Sequence, residues 1–287
     1  MAPRYEYRVL AILGGLGAAA CWATATMCAS RSTRLIGAGS VLAWVMLIGF
    51  LVTAPVLVVD GIPGGLGGRA LAWIGVSAAG NLAGLFFAYE GLRVGKVSIV
   101  SPITSTEGAI AAIIAVVTGE TLGVGSAVML GIVAAGVALA SITPGGGSGD
   151  AVRASLFAAA AATCFGGSLY ATAKVSASLP LIWAVSPVRF LGVAVLALPL
   201  LVTGRLKLTR KAAPLVLVSG LCEVAGVTSY ALGSRHGIAV SAVLASQFAA
   251  IASVAAFVLF RERLTRLQLT GIVAIVAGVA ALSALNA

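Results

Sequence analysis

Three ionisable side chains stand inside stretches that are otherwise apolar: Glu107, Arg189 and Glu223. Charge in hydrocarbon is costly, so such residues pair with one another, face water or meet a cargo. A carboxyl group in that setting can carry a proton, because desolvation disfavours its charged form. A carboxylate can also anchor an ammonium group, and a guanidinium can grip a carboxylate at two points. Glu107 and Glu223 are therefore the candidate proton carriers, and with Arg189 the candidate charged contacts. One arginine pairs with one glutamate, which is also what a purely structural ion pair would do, and the second glutamate is left over.

Small polar residues gather around these charges at helical spacing. Ser219, Glu223, Gly226 and Tyr230 form one stripe, and Ser77, Asn81, Gly84 and Ala88 repeat its spacing. Ser98, Ser101, Thr104 and Ser105 make a polar arc beside Glu107, and Ser241, Ser246 and Gln247 are its later counterpart. A lone hydroxyl in a membrane helix commonly bonds its own backbone or a neighbour. Continuous arcs on four segments instead indicate a cavity lining. Aromatic faces for an ammonium group are available from Trp22, Tyr89, Tyr170 and Tyr230. The expected binding set is Trp22, Asn81, Ser101, Thr104, Ser105, Glu107, Tyr170, Arg189, Glu223, Tyr230, Ser246 and Gln247. Pro102 and Pro187 lack an amide hydrogen, so the carbonyl of Ser98 is freed and the backbone is loosened beside Arg189.

Other chemistry finds no support. Cys21, Cys28, Cys164 and Cys222 form no Cys-x-x-Cys pair, and His236 is the single histidine, so no metal site is expected. No Gly-x-Ser-x-Gly elbow accompanies that histidine, which argues against an intramembrane hydrolase. The Gly61–Gly68 loop lacks the Lys-Ser/Thr ending of a phosphate-binding loop. No cofactor is expected. The net charge of +10 is spread over loops, as membrane orientation produces, and does not indicate nucleic acid.

The elements that carry these residues follow from composition. Of 287 residues, 60% are apolar and 9% are charged, against about 25% charged in ordinary soluble domains. Mean hydropathy is +1.12. A helix needs ~20 mostly apolar residues to cross hydrocarbon. Ten such runs occur: 9–30, 35–59, 70–89, 97–118, 121–143, 154–173, 175–204, 212–234, 236–260 and 267–287. The first is too long for a signal peptide and is read as a retained span. The runs do not alternate as barrel strands do. The expected fold is all-α and integral to the cell (inner or plasma) membrane, with multiple passes and the lipid bilayer as partner.

A shift of 142 residues aligns the two halves: Gly91, Arg93 and Gly95 fall on Gly233, Arg235 and Gly237, and Glu120 and Leu122 on Glu262 and Leu264. Gly136-Val137-Ala138 likewise falls on Gly278-Val279-Ala280, and at 143 Cys21-Trp22 falls on Cys164-Phe165. The expected organisation is a five-helix repeat over 1–142, a Gly-rich linker over 143–152 and a second repeat over 153–287. Five being odd, the second repeat enters from the opposite side, giving an inverted-topology 5+5 arrangement with a site near the midplane. Glu223 aligns with Asn81, Glu107 with Ala249, and Arg189 near Met46, so none of the three charges is duplicated. Gly131, Gly136, Gly271 and Gly278 read as close-packing seams in the fifth and tenth spans.

Gly119-Glu120-Thr121-Leu122, Arg261-Glu262-Arg263-Leu264 and the glycine-spaced run from Gly271 to Val279 resemble the ten-helix EamA-type branch of the drug/metabolite transporter superfamily. The resemblance implies an exporter of amino acids or other small metabolites. Together with the polar arcs, it leads us to expect a monomeric secondary transporter, working by alternating access on a small-molecule substrate, with protons as a candidate coupling ion. Export of organic cations or drugs is the alternative cargo. For orientation, Arg4, Arg8, Arg69, Lys174 and Arg235 fall on the side of the termini and twelve basic residues on the other, which by the positive-inside rule places the termini outside. The resemblance places them in the cytoplasm. The first span, flanked equally by Arg4 and Arg8 and by Arg31 and Arg34, tips the expectation to cytoplasmic termini.

Overall fold

The computed structural model describes residues 4–64, 66–121, 123–141, 149–260 and 266–285. Every regular element among them is helical. The helices are α1 (Arg4–Ile36), α2 (Ala38–Asp60), α3 (Gly68–Val94), α4 (Val97–Thr104), α5 (Glu107–Val117), α6 (Val124–Ser141) and α7 (Gly149–Ser178). Then come α8 (Ile182–Gly192), a π-helical stretch Val193–Ala197, α9 (Leu198–Val202), α10 (Ala213–Ser234), α11 (Ile238–Ala245), α12 (Phe248–Phe260) and α13 (Arg266–Leu285). Joined where they run on, they make ten rods among the described residues: α4 continues into α5, α8 into α9, and α11 into α12. Seven described stretches are long and apolar enough to cross a membrane, and Ile238–Ala252 is a shorter apolar one. Large apolar side chains point outward, with Val58 82%, Val117 80% and Val202 84% exposed, a surface that suits lipid rather than water. The expected linker segment 143–148, Leu122, and Glu262 with Leu264 lie outside the described residues.

The seventh rod starts later than the sequence indicates. Val175–Ser178 belong to α7, and the chain resumes as a helix only at Ile182. Pro180 separates them, because the residue before a proline is driven out of the helical region. Arg235 covers the exposed end of α7, donating to the carbonyls of Ser176 at 2.7 Å and Leu179 at 3.1 Å.

The break in the fourth rod also differs from expectation. Pro102 sits within α4, and the break falls three residues later, at Ser105 and Thr106. There the Ser105 hydroxyl donates to the carbonyl of Pro102 at 2.9 Å and the Thr106 hydroxyl to that of Ile103 at 2.8 Å. The ninth rod breaks at the matching Ser246 and Gln247 without any proline, and both side chains donate to the carbonyl of Val243, at 2.7 and 2.9 Å. Hydroxyl and amide side chains that bond the backbone compete with the helical ladder. These side chains, common to both halves, accompany the break where proline does not. Helices α4 and α11 start at 97 and 238, and α5 and α12 at 107 and 248, so the two breaks occupy matching places in the halves.

Helix packing exchanges partners between the halves. α3 packs along α7 as α1 packs along α10, while α2 meets α8, α5 meets α11 and α6 meets α13. Single residues repeat the exchange. The missing Cβ of Gly84 makes room for the Phe165 ring, and that of Gly226 for the Trp22 indole. Arg189 lies over Gly49, and Met46 lies over Gly192.

Candidate functional site

The two breaks put an N-terminal helical turn in mid-rod, and α5 opens there with Glu107. Positive potential at a helix N-terminus suits a carboxylate. Helices α1, α3, α4, α5, α7, α10 and α12 enclose a cavity beside it, whose free space for water-sized molecules is about 60 Å³. One water needs ~10–15 Å³ by the same measure, so the space accepts a small cluster of waters or a compact polar group.

Two carboxyl groups, Glu107 and Glu223, face this cavity. Trp22, Tyr89, Phe165, Tyr230 and Phe248 supply aromatic walls, and Thr26, Asn81, Ser101, Thr104, Ser168 and Thr172 supply polar groups. The Trp22 and Tyr230 ring centroids are 6.3 Å apart. The Tyr230 hydroxyl donates to the carbonyl of Leu169 at 2.9 Å, which fixes the ring. Asn81 Oδ1, Ser101 Oγ and Thr104 Oγ1 are buried and have no hydrogen-bond partner among the described residues. Buried polar atoms are nearly always paired, so three together mark a place where a ligand or water completes them.

Arg189 is fully buried and stands behind the wall. Its Nη2 is 3.9 Å from Glu223 Oε2, and its Nη1 is 3.9 Å from Met46 Sδ. Of the two cavity carboxyl groups, Glu107 has no ion pair among the described residues.

Seven of the twelve expected binding residues line the cavity: Trp22, Asn81, Ser101, Thr104, Glu107, Glu223 and Tyr230. Five do not, and each has another task. Ser105, Ser246 and Gln247 bond backbone carbonyls at the helix breaks. Tyr170 donates to Thr118 Oγ1 at 2.8 Å, stands edge-on to Trp73, and carries Lys174 Nζ 5.0 Å from its ring centroid. Arg189 reaches the cavity only through Glu223. The side chain of Ser98 lies outside what the structure describes. Sequence reasoning missed Thr26, Phe165, Ser168, Thr172 and Phe248. Thr26 follows Trp22 by four residues and Thr172 follows Ser168 by four, a helical spacing already visible in the chain.

Glu120 has a separate role at the α5–α6 turn. Its carboxylate accepts the Ala239 amide at 3.2 and 3.3 Å, tying the first half to the start of α11. Burial pushes the Glu120 carboxyl up from its ordinary value, opposed by the amides of Ala239 and Ile238 and by Lys174. The four cysteines are all free, and no cluster of three or more His, Cys, Asp or Glu able to hold a metal exists among the described residues.

No curated protein matches the sequence significantly. A solved crystal structure of a protein superposes with TM-score 0.74 over 97% of this chain and 98% of its own, at 18% identity, a likeness of fold. The model of the EamA-like transporter family matches residues 9–142 and again 152–284, so the chain belongs to that family of membrane transporters in the drug/metabolite transporter superfamily.

Proposed function

We propose that the protein is a secondary transporter that exports small metabolites, most of all amino acids, across the cell membrane by alternating access at this cavity. The observation that carries the reading is the enclosed chamber with two carboxyl groups, aromatic walls and three unpartnered polar atoms. An amino acid's ammonium would meet Glu223 or Glu107. Its carboxylate would accept from the Ser101 and Thr104 hydroxyls, Asn81 Oδ1 would accept from its ammonium, and its side chain would lie on Trp22 or Phe165. Glu107, free of an ion pair, is the proton-carrying candidate. The two five-helix repeats, 1–142 and 153–287 on either side of the linker, are inverted about an axis in the membrane plane. The exchange of Trp22·Gly226 for Phe165·Gly84 supports this. Rocking of the halves about that axis would open the chamber to each side in turn.

A second cargo, organic cations, is favoured by one fact: Arg189 is not in the lining, so no cation there meets a substrate carboxylate. Proteoliposome flux decides between them. Radiolabelled L-phenylalanine and L-threonine should move faster than through protein-free vesicles, and tetraphenylphosphonium should not. Cation flux alone would replace the amino-acid reading, and flux of neither would remove both.

A further inference from the structure

We infer that Arg189 is a positioning residue for transport: from behind the cavity wall it holds Glu223 as the fixed anionic anchor of the site, without touching the cargo. This rests on the cavity's role in transport proposed above.

The packing at this place does not need a charge. Arg189 and Met46 are repeat mates, and they meet each other across the interface of α2 and α8. Arg189 fills the hollow over Gly49 and Met46 fills the matching hollow over Gly192. A thioether therefore performs in one half the scaffold task that a guanidinium performs in the other. The charge also has its own mate on the next helix. Glu223 lines the cavity, and so does Asn81, its neutral counterpart. The pair Arg189 and Glu223 thus stands where the other half has Met46 and Asn81, so both charges lie in one half.

The geometry is not that of a structural bridge. Burying a guanidinium is offset only when its donors are satisfied. Here Nε and Nη2 have no hydrogen-bond partner among the described residues, and the 3.9 Å approach to Glu223 is too long for a hydrogen bond. At that distance in a low-dielectric interior the Coulomb attraction is still substantial. A two-point bridge would consume both carboxylate oxygens. The observed spacing supplies positive potential and leaves those oxygens available to a cargo.

Gly49 completes the device. A Cβ there would lie 2.7 Å from Arg189 Cδ and 3.1 Å from its Nε. It would also lie 3.2 Å from Val224 Cγ2, so Gly49→Ala shifts the guanidinium against its surroundings without altering any charge.

The test needs no cargo. Dicyclohexylcarbodiimide modifies protonated carboxyl groups in membranes, and peptide mass spectrometry reads each site. In wild-type protein in nanodiscs, Glu107 should be modified and Glu223 spared. Arg189→Met, which borrows the side chain already accommodated at position 46, should raise modification at Glu223 about tenfold, the change that ~1.4 kcal/mol of lost attraction produces. Gly49→Ala should raise it by a smaller factor, and Arg189→Lys should restore the wild-type pattern. Equal modification of Glu223 in wild type and Arg189→Met overturns the proposal, as does a parallel rise at Glu107, which would mark opened access. Should Arg189→Met fail to fold, Gly49→Ala and Arg189→Lys decide by the same readout. Wild-type flux of L-phenylalanine, measured beside it, reports on the transport reading separately.

Discussion

Glu107 differs from Glu223 in one respect that matters for coupling: no cation stands near it among the described residues, and it begins a helix in mid-rod. If it carries the proton, Glu107→Gln should leave counterflow of a radiolabelled cargo intact and make net flux indifferent to an imposed pH gradient. Net flux of Glu107→Gln that follows the gradient as wild type does would assign the proton elsewhere. For Glu223, whose oxygens face the chamber, Glu223→Gln should abolish flux while the protein still extracts as a monodisperse species. Both roles depend on spacing that is visible in the chain, because a helical stripe tells which side chains share a face. Tyr170 shows where that legibility stops. Only its residue type points to the site, and type does not tell how far along a rod a ring sits. The structure places it against Trp73 and Thr118, away from the chamber.

At the scale of helices, the informative contacts are those where one element ends on another. Glu120 ties the α5–α6 turn to the amide of Ala239. Because burial raises its folded pKa above the ordinary value, its contribution to stability is full below pH ~4.5 and is lost as pH rises through the folded pKa. Glu120→Gln keeps an oxygen acceptor and removes that loss. Its melting temperature should match wild type near pH 4.5 and exceed it at pH 7.5, as read by thermal denaturation in detergent. A lower value at pH 7.5 would mean that the bonds to the ionised carboxylate outweigh its desolvation. Close packing makes a second prediction. Gly226→Ala drives a methyl group into the Trp22 indole, and Gly84→Ala into the Phe165 ring. Overpacking of this kind costs ~1–3 kcal/mol. Each should lower the melting temperature and, by displacing a cavity wall, also reduce flux, whereas Gly131→Ala, where no neighbour among the described residues lies within 4 Å, should do neither. The rods themselves were legible from apolar runs of sufficient length. Their breaks were not, because proline draws the eye to position 102, while hydroxyls that compete for carbonyls act at 105 and 106.

For the whole molecule, the open matter is which side the termini face. We expect a C-terminal fluorescent reporter to light in the cytoplasm. A dark reporter on well-expressed protein would show that the twelve basic residues of the opposite loops govern insertion instead. By itself the sequence determined the membrane class, ten rods, the repeat and most of the polar lining. These depend on local quantities: how many apolar residues stand in a row, which positions share a helix face, and which segments resemble each other. Only the tertiary structure decided that Arg189 lies behind the wall and not in it, and that Thr26, Phe165, Ser168, Thr172 and Phe248 complete the chamber. Those facts depend on the rotation and depth of each rod against its partners. Both are set by close fits such as Trp22 on Gly226 and Arg189 on Gly49, between residues more than a hundred positions apart in the chain.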